Sequence, residues 1–287
     1  MIMIGITGAS GPLGRATAEL VLRTVDPREV VLTTRTPQAL ADLAARGAQV
    51  RPADFGDPRT LEAAFAGVER LLLISTDAVG SRLDQQRAAL AAAAGAGVSY
   101  VAYTSVPEPV PANPAVVVAD HAGTERALRE SGLRWTALRN NLYAHMQVSV
   151  VEQAAATGRL TTNSGSGAAA YVTREDCAAV AAGILTRGGY ENEAVDVTGP
   201  EPVGAPDLLR LARDLGGRDV ELVNVDDHTF AAALEEAGLP EPVAELVTSF
   251  GAATRGGFLA GVSGVAADVT GREPRSLADV VRQARSA

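Results

Sequence analysis

Glycines 8, 11 and 14, in Ile4-Gly5-Ile6-Thr7-Gly8-Ala9-Ser10-Gly11-Pro12-Leu13-Gly14, follow a short apolar run and lead straight into a helical pattern. Gly8 suits the sharp turn out of a strand, Gly11 lets backbone approach a diphosphate, and Gly14 permits close packing of helix on strand. A helix starting there presents unpaired N–H groups and the positive end of its dipole to an anion. The spacing predicts a dinucleotide cradle formed by Gly8, Ala9, Ser10, Gly11, Pro12, Leu13 and Gly14, with Pro12 in the first helical turn.

The rest of the first half supports that context. Apolar, β-branched runs at Met3–Thr7, Val30–Thr34, Ala48–Arg51, Arg70–Ser75, Tyr100–Ser105 and Trp135–Arg139 alternate with helical segments. Thr36-Pro37 and Asp57-Pro58 are start signals for the second and third helices. Ser81–Ala94 is alanine-rich yet compatible with an ordinary packed helix. Such alternation predicts a parallel sheet with helices on both faces.

After Asn140 the rhythm changes. Helices are expected at Tyr143–Ala156, Thr173–Thr186 and Pro206–Leu215, and strands at Ala194–Thr198 and Val220–Val225. Asp226 or Asp227 is placed to cap one later helix, and Ser276 the last. The reading is two domains, 1–142 and a smaller α+β unit at 143–287, with segment 170–200 able to pack back on the first sheet.

Composition narrows the classes. The balance of 34 acidic against 25 basic residues, a net charge of −9, disfavours a nucleic-acid or anionic-membrane binder. The run Met1–Ile6 has no basic leader and breaks at Gly8, so the expected location is cytoplasmic, with no membrane span. One cysteine, Cys177, precludes an intrachain disulfide and reads as a small buried helix residue. His121, His145 and His228 are scattered, so no metal site is expected. Every basic side chain is arginine, which excludes Schiff-base chemistry and a Tyr-x-x-x-Lys catalytic pair.

The second strand's end decides which dinucleotide is expected. Preference for a free ribose hydroxyl calls for a carboxylate about 20 residues beyond the glycines. Leu32-Thr33-Thr34-Arg35-Thr36 has none, whereas Arg35 can pair a 2′-phosphate. NADP(H) is therefore preferred over NAD(H). Other strand ends face the same cleft: Asp54-Phe55 by the adenine, Ser75-Thr76-Asp77 and Tyr103-Thr104-Ser105 by the ribose and nicotinamide. Ser105 lacks a Gly-x-Ser-x-Gly setting, and Trp135 reads as core. Val106–Pro114 and Asn163–Gly167 read as surface connections, with lids as the alternative.

Leu72-Leu73-Ile74-Ser75, Ala102-Tyr103-Thr104-Ser105, Leu138-Arg139-Asn140-Asn141-Leu142-Tyr143 and Val172-Thr173-Arg174, together with the glycine loop and Arg35, resemble the NmrA-like atypical short-chain dehydrogenases. Within that family the likeness is strongest to bacterial type 2 NAD(P)H:quinone oxidoreductases and triphenylmethane reductases, and it spans nearly the whole chain. The resemblance implies a Rossmann-type doubly wound sheet with a smaller substrate-side domain. It makes Gly8–Leu13, Arg35, Ser75–Asp77, Asn140–His145 and Thr173 cofactor contacts. Pro12 stands where these relatives commonly have glutamine, and Leu142 where some have tryptophan.

The implied activity is hydride transfer to a quinone or other planar aromatic acceptor. Tyr143 and His121 are the candidates for hydrogen-bonding the developing oxyanion. The alternatives are a non-catalytic NADP(H) sensor with a protein partner, and a tailoring or coupling enzyme of aromatic natural-product synthesis. A homodimer is left open.

Overall fold

A computed structural model describes residues 2–78 and 80–285, so Met1 of the leading apolar run lies outside the described residues. The first half contains β1 (Ile4–Ile6), α1 (Pro12–Val21), β2 (Val30–Thr34), α2 (Ala41–Ala45), β3 (Gln49–Pro52), α3 (Leu61–Phe65), β4 (Arg70–Leu73), α4 (Arg82–Gly95), β5 (Tyr100–Ser105), α5 (Val118–Glu130) and β6 (Arg134–Asn140). Then follow α6 (Ala144–Thr157), β7 (Arg159–Thr162), β8 (Ala168–Ala169), α7 (Arg174–Arg187), β9 (Glu193–Val197) and β10 (Val203–Gly204). The chain ends with α8 (Ala205–Gly216), β11 (Glu221–Asn224), α9 (Asp227–Glu236), α10 (Glu241–Arg255), α11 (Val265–Thr270) and α12 (Leu277–Arg285).

Seven strands form one parallel sheet in the order β3-β2-β1-β4-β5-β6-β9. This is the doubly wound, Rossmann-type arrangement, and its order reverses between β1 and β4. Alternate residues serve opposite faces, as pleating demands. Leu72 joins Ile4, Ile6 and Leu32 in a core with α1 and α7, whereas Leu71 and Leu73 pack with Val31, Val101 and Phe65 beneath α3 to α5. A third apolar cluster, including Val117, Val151, Leu160 and Leu259, lies beyond the sheet. Ligands of such sheets bind outside the strands' carboxyl ends at the reversal, which places the cleft at Thr7–Gly8 and the loop after β4.

Three local expectations are corrected by hydrogen bonding. β4 stops at Leu73 because the N–H groups of Ile74 and Ser75 donate to the hydroxyls of Thr7 (2.9 Å) and Thr104 (2.9 Å). Thr36 provides no side-chain cap; Pro37–Leu40 is a 3-10 turn, and the Thr36 N–H donates to the Thr34 hydroxyl (3.1 Å). In Asn163–Gly167 the Asn163 amide is buried and donates to Asp227 (2.8 Å) and to the Thr248 carbonyl (2.9 Å), a plug instead of a lid. Asp226 and Ser276 do cap α9 and α12, each accepting an N–H three residues on.

Candidate active site

The turn after β1 is built as its glycines require. Gly8 has φ +57°, a left-handed conformation costly for other residues. A Cβ on Gly14 would stand 2.4 Å from the Gly8 carbonyl oxygen and 2.8 Å from Ala9 Cα. The Ala9 N–H is spent on the Thr33 carbonyl (3.0 Å) and that of Gly11 on the Gly8 carbonyl (2.9 Å). Pro12 has no N–H, and α1 has no side-chain cap. The donors left for a diphosphate at this helix start are therefore the amides of Leu13 and Gly14.

A cavity of about 420 Å³ opens over this turn. Gly8, Ser10, Gly11 and Pro12 form its floor, and Arg35, Asp54 and Phe55 one side. Ser75, Thr76 and Asp77 form the other side. The Ser10 and Thr34 hydroxyls, 2.7 Å apart, tie the turn to the end of β2. Arg35, the next residue, is exposed and has no ion pair among the described residues. Its guanidinium is free for an anion.

Ser75 is shared with a second cavity of about 220 Å³. His121, Asn140, Asn141, Leu142 and Tyr143 line this one, as does Arg82. Its cover is apolar: Val117 and Val118 from the start of α5, Met146 from α6, Leu246 and Phe250 from α10, and Leu259. Asn141 fixes that cover by donating its amide to the Leu259 carbonyl (2.9 Å). Val106, Pro107 and Asn113 from the proline-rich loop complete a wall. The Asn113 amide donates to the Glu108 carbonyl (3.1 Å), and its oxygen accepts from the Ala115 N–H (3.1 Å), so this loop is pinned from within.

The residues expected from sequence do not all line the cavities. Ala9, Leu13 and Gly14 are buried at the turn, leaving only the backbone amides of Leu13 and Gly14 for a ligand; Tyr103 is fully buried, with its hydroxyl 2.7 Å from His121 Nδ1. Thr173 is the N-cap of α7: its hydroxyl accepts from the Asp176 N–H (3.0 Å) and donates to the Asp176 carboxylate (2.6 Å). Both hydrogen-bonding directions are thus used within the helix, and Thr173 lines neither cavity. Thr173-Arg174-Glu175-Asp176 carried that capping signal in sequence. His145 is exposed, stacks on Tyr143 with ring centroids 5.7 Å apart, and accepts from Arg174 at Nε2 (2.8 Å).

Electrostatics separate the two proposed oxyanion partners. Burial, and then the charge of Arg82, push the His121 imidazole down to about 3, so it is neutral at ordinary pH. Burial raises the Tyr143 phenol well above its usual range, so it remains a neutral donor. Cys177 is buried and its thiol is pushed up by the same effect, as expected of an inert core residue.

Arg82 is the residue that sequence reasoning missed. It opens α4 and is 7% exposed; its Nε donates to the Thr76 carbonyl (2.5 Å). An arginine beginning an alanine-rich helix reads as solvated. Its burial follows from the packing of α4 on α5, where Gln86 donates to the Thr124 hydroxyl (3.1 Å). Behind the site, Glu125 accepts from Ser105 (2.8 Å), from Arg139 at both oxygens (2.9 Å each) and from Arg129 (2.7 Å). It thereby ties the end of β5 to the end of β6.

A family model described as NAD(P)H-binding matches residues 8–187, more than half of the chain. The chain belongs to the NAD(P)H-binding family. Its NmrA-like character is shown by an NmrA-like family domain-containing oxidoreductase of Aspergillus flavus, 31% identical over 97% of this chain and 93% of that protein. Quinone oxidoreductase 2 of Escherichia coli is 36% identical over 97% of each chain. The crystal structure of that NADPH-dependent quinone oxidoreductase complexed with NADPH superposes with a TM-score of 0.94 at 34% identity, covering 99% of this chain and 100% of the other. Triphenylmethane reductase of Citrobacter sp., complexed with NADP(H), gives a TM-score of 0.92 at 30% identity, covering 98% and 99%. The expected family and fold are both confirmed. Among the described residues, no helix is long and apolar enough to cross a membrane.

Proposed function

We propose that this NmrA-like protein transfers hydride from NADPH to a quinone or another planar aromatic acceptor. The observation that carries this reading is the junction at Ser75 of a phosphate-cradling cavity with a smaller one covered by apolar side chains. A nucleotide sensor needs the first cavity but has no use for the second.

The residues present fit the cofactor. Two uncapped amides and the unpaired Arg35 suit a diphosphate and a 2′-phosphate. The buried Oδ1 of Asn140 and Oγ1 of Thr76 have no hydrogen-bond partner among the described residues, as expected where a bound group completes them. Asn140 lines the acceptor cavity, so its oxygen suits a carboxamide N–H. Bound NADPH supplies a hydride at nicotinamide C4. The chain's own work is positioning: Thr7 and Thr104 hold the β4 loop, while Leu142, Met146 and Phe250 hold a flat acceptor and exclude water. Reduction of a quinone gives a delocalised phenolate, so no Tyr-x-x-x-Lys proton donor is required, and Tyr143 donates a hydrogen bond. In this reading residues 1–142 hold the nucleotide and 143–287 close over the acceptor, with β9 returning to the large sheet.

Steady-state oxidation of NADPH and NADH with simple quinones tests the proposal. Turnover above the buffer rate, faster with NADPH, is expected. Turnover no faster than buffer with every quinone overturns it.

A further inference from the structure

We infer that Arg82 is the anion-binding residue of the acceptor cavity, holding the oxygen on which negative charge appears as an aromatic acceptor is reduced. The inference deepens the proposed quinone reduction and rests on it.

Helix stability does not account for this arginine. At the first position of α4 its charge faces the positive end of the helix dipole, an unfavourable placement. Nor is it solvated, being 7% exposed. Its Nε is held by the Thr76 carbonyl, but its buried Nη1 has no hydrogen-bond partner among the described residues. The carboxylate of Asp120 forms an ion pair with Nη1 at 4.0 Å but is too far for a hydrogen bond. Asp120 meets the charge at a distance, yet a buried N–H without an acceptor is costly, and an oxyanion within hydrogen-bond reach would complete it.

The cavity offers room for that anion. Among the described residues no aspartate or glutamate lines it, and His121 is uncharged, so Arg82 is the one cation among those lining residues. Apolar walls around a fixed cation preserve its field, and a charge preorganised where an oxyanion develops stabilises the transition state without reorganising. The acceptor takes two electrons and one hydrogen as hydride from the reduced nicotinamide, which is thereby oxidised. The product is a hydroquinone monoanion, and its phenolate oxygen beside Arg82 later takes a proton from water.

Equilibrium binding of 4-nitrophenolate and of its neutral analogue 4-nitroanisole reads this site without turnover. The wild type should prefer the phenolate by about tenfold or more, as a charge-assisted hydrogen bond gives. Arg82→Gln should bring the two within about twofold while leaving NADPH affinity within about threefold, because only the charged partner is lost. Its kcat for quinones should fall by roughly 10- to 100-fold, with a smaller change in KM, as when an oxyanion donor is removed. Equal binding of both probes by the wild type overturns the assignment and needs no variant. A preference that persists in Arg82→Gln also overturns it. If that variant does not fold, Arg82→Lys takes its place; it should lose at least about threefold of the preference, since a compact ammonium cannot keep the guanidinium's geometry. Quinone turnover by a wild type without phenolate preference sinks only the role of Arg82. Phenolate preference without turnover sinks the quinone reading instead.

Discussion

The phenolic oxygen of Tyr103 lies 2.7 Å from Nδ1 of His121, and both side chains are buried. Burial keeps the phenol un-ionised, and burial with Arg82 keeps the imidazole neutral. The pair is therefore a fixed, uncharged hydrogen bond, with His121 lining the acceptor cavity and Tyr103 buried behind it. His121 does not act there as an imidazolium acid.

That state has a pH signature. The folded-state pKa of His121 is about 3 against an ordinary 6.5, so between those values the unfolded chain binds the extra proton. Its contribution is complete above about pH 6.5 and is lost as pH falls towards 3, with a slope approaching about 1.4 kcal/mol per pH unit. Urea unfolding of wild type and His121→Asn at pH 7, 6 and 5 should show a steeper decline in the wild type. Parallel declines would contradict a neutral, buried His121.

Arg35 should set the nucleotide preference. Replacing it with alanine removes a charge-assisted pair worth about 1.5–3 kcal/mol, so NADPH affinity should fall by roughly 10- to 100-fold. NADH, which lacks the phosphate, should change by less than about threefold on the same argument. Calorimetric titration of both nucleotides checks this, and an equal loss for the two would remove Arg35 from phosphate recognition.

Glu125 should be needed for stability. Burial drives its carboxyl up, but hydrogen bonds from Arg139 and Ser105 and the charges of Arg139 and Arg129 outweigh it and hold the group below its ordinary range. Glu125→Gln leaves Arg139 facing a neutral amide and should cost about 3–5 kcal/mol, as when one partner of a buried pair is removed. Denaturant midpoints measure it; a loss below about 1 kcal/mol would class the pair with exposed ones.

Gly14→Ala separates packing from helix propensity. In an open helix the change stabilises by up to about 1 kcal/mol. At position 14 the new Cβ meets the Gly8 carbonyl at 2.4 Å, so a loss of about 1–3 kcal/mol and weaker NADPH binding are expected. Gly95→Ala, whose Cβ would meet only Glu62 at 3.7 Å, is the control and should not destabilise.

What could be read in the sequence is what is local or periodic. The glycine turn, the strands feeding it and Arg35 all lie in short segments whose residue types dictate their geometry. The acceptor cavity is different, because Ser75, Arg82, His121, Asn140 and Phe250 are far apart in the chain and meet only once the tertiary fold has formed. Arg82 was invisible because a helix-opening arginine is ordinarily solvated, and its partners, the Thr76 carbonyl and Asp120 of α5, come together only in the folded chain. Thr173 differs: the family resemblance implied a cofactor contact, whereas its own neighbours carried a capping signal, and Asp176, three residues on, engages its hydroxyl. The caps of α9 and α12 were legible because a cap is a contact across three residues.

Single-turnover mixing of NADPH-loaded protein with a simple quinone addresses hydride transfer with the fewest intervening steps. Oxidation of one bound NADPH per quinone, slowed when deuterium replaces the transferred hydrogen, is the expected result. Bound NADPH that persists unchanged across a series of quinones would contradict the account.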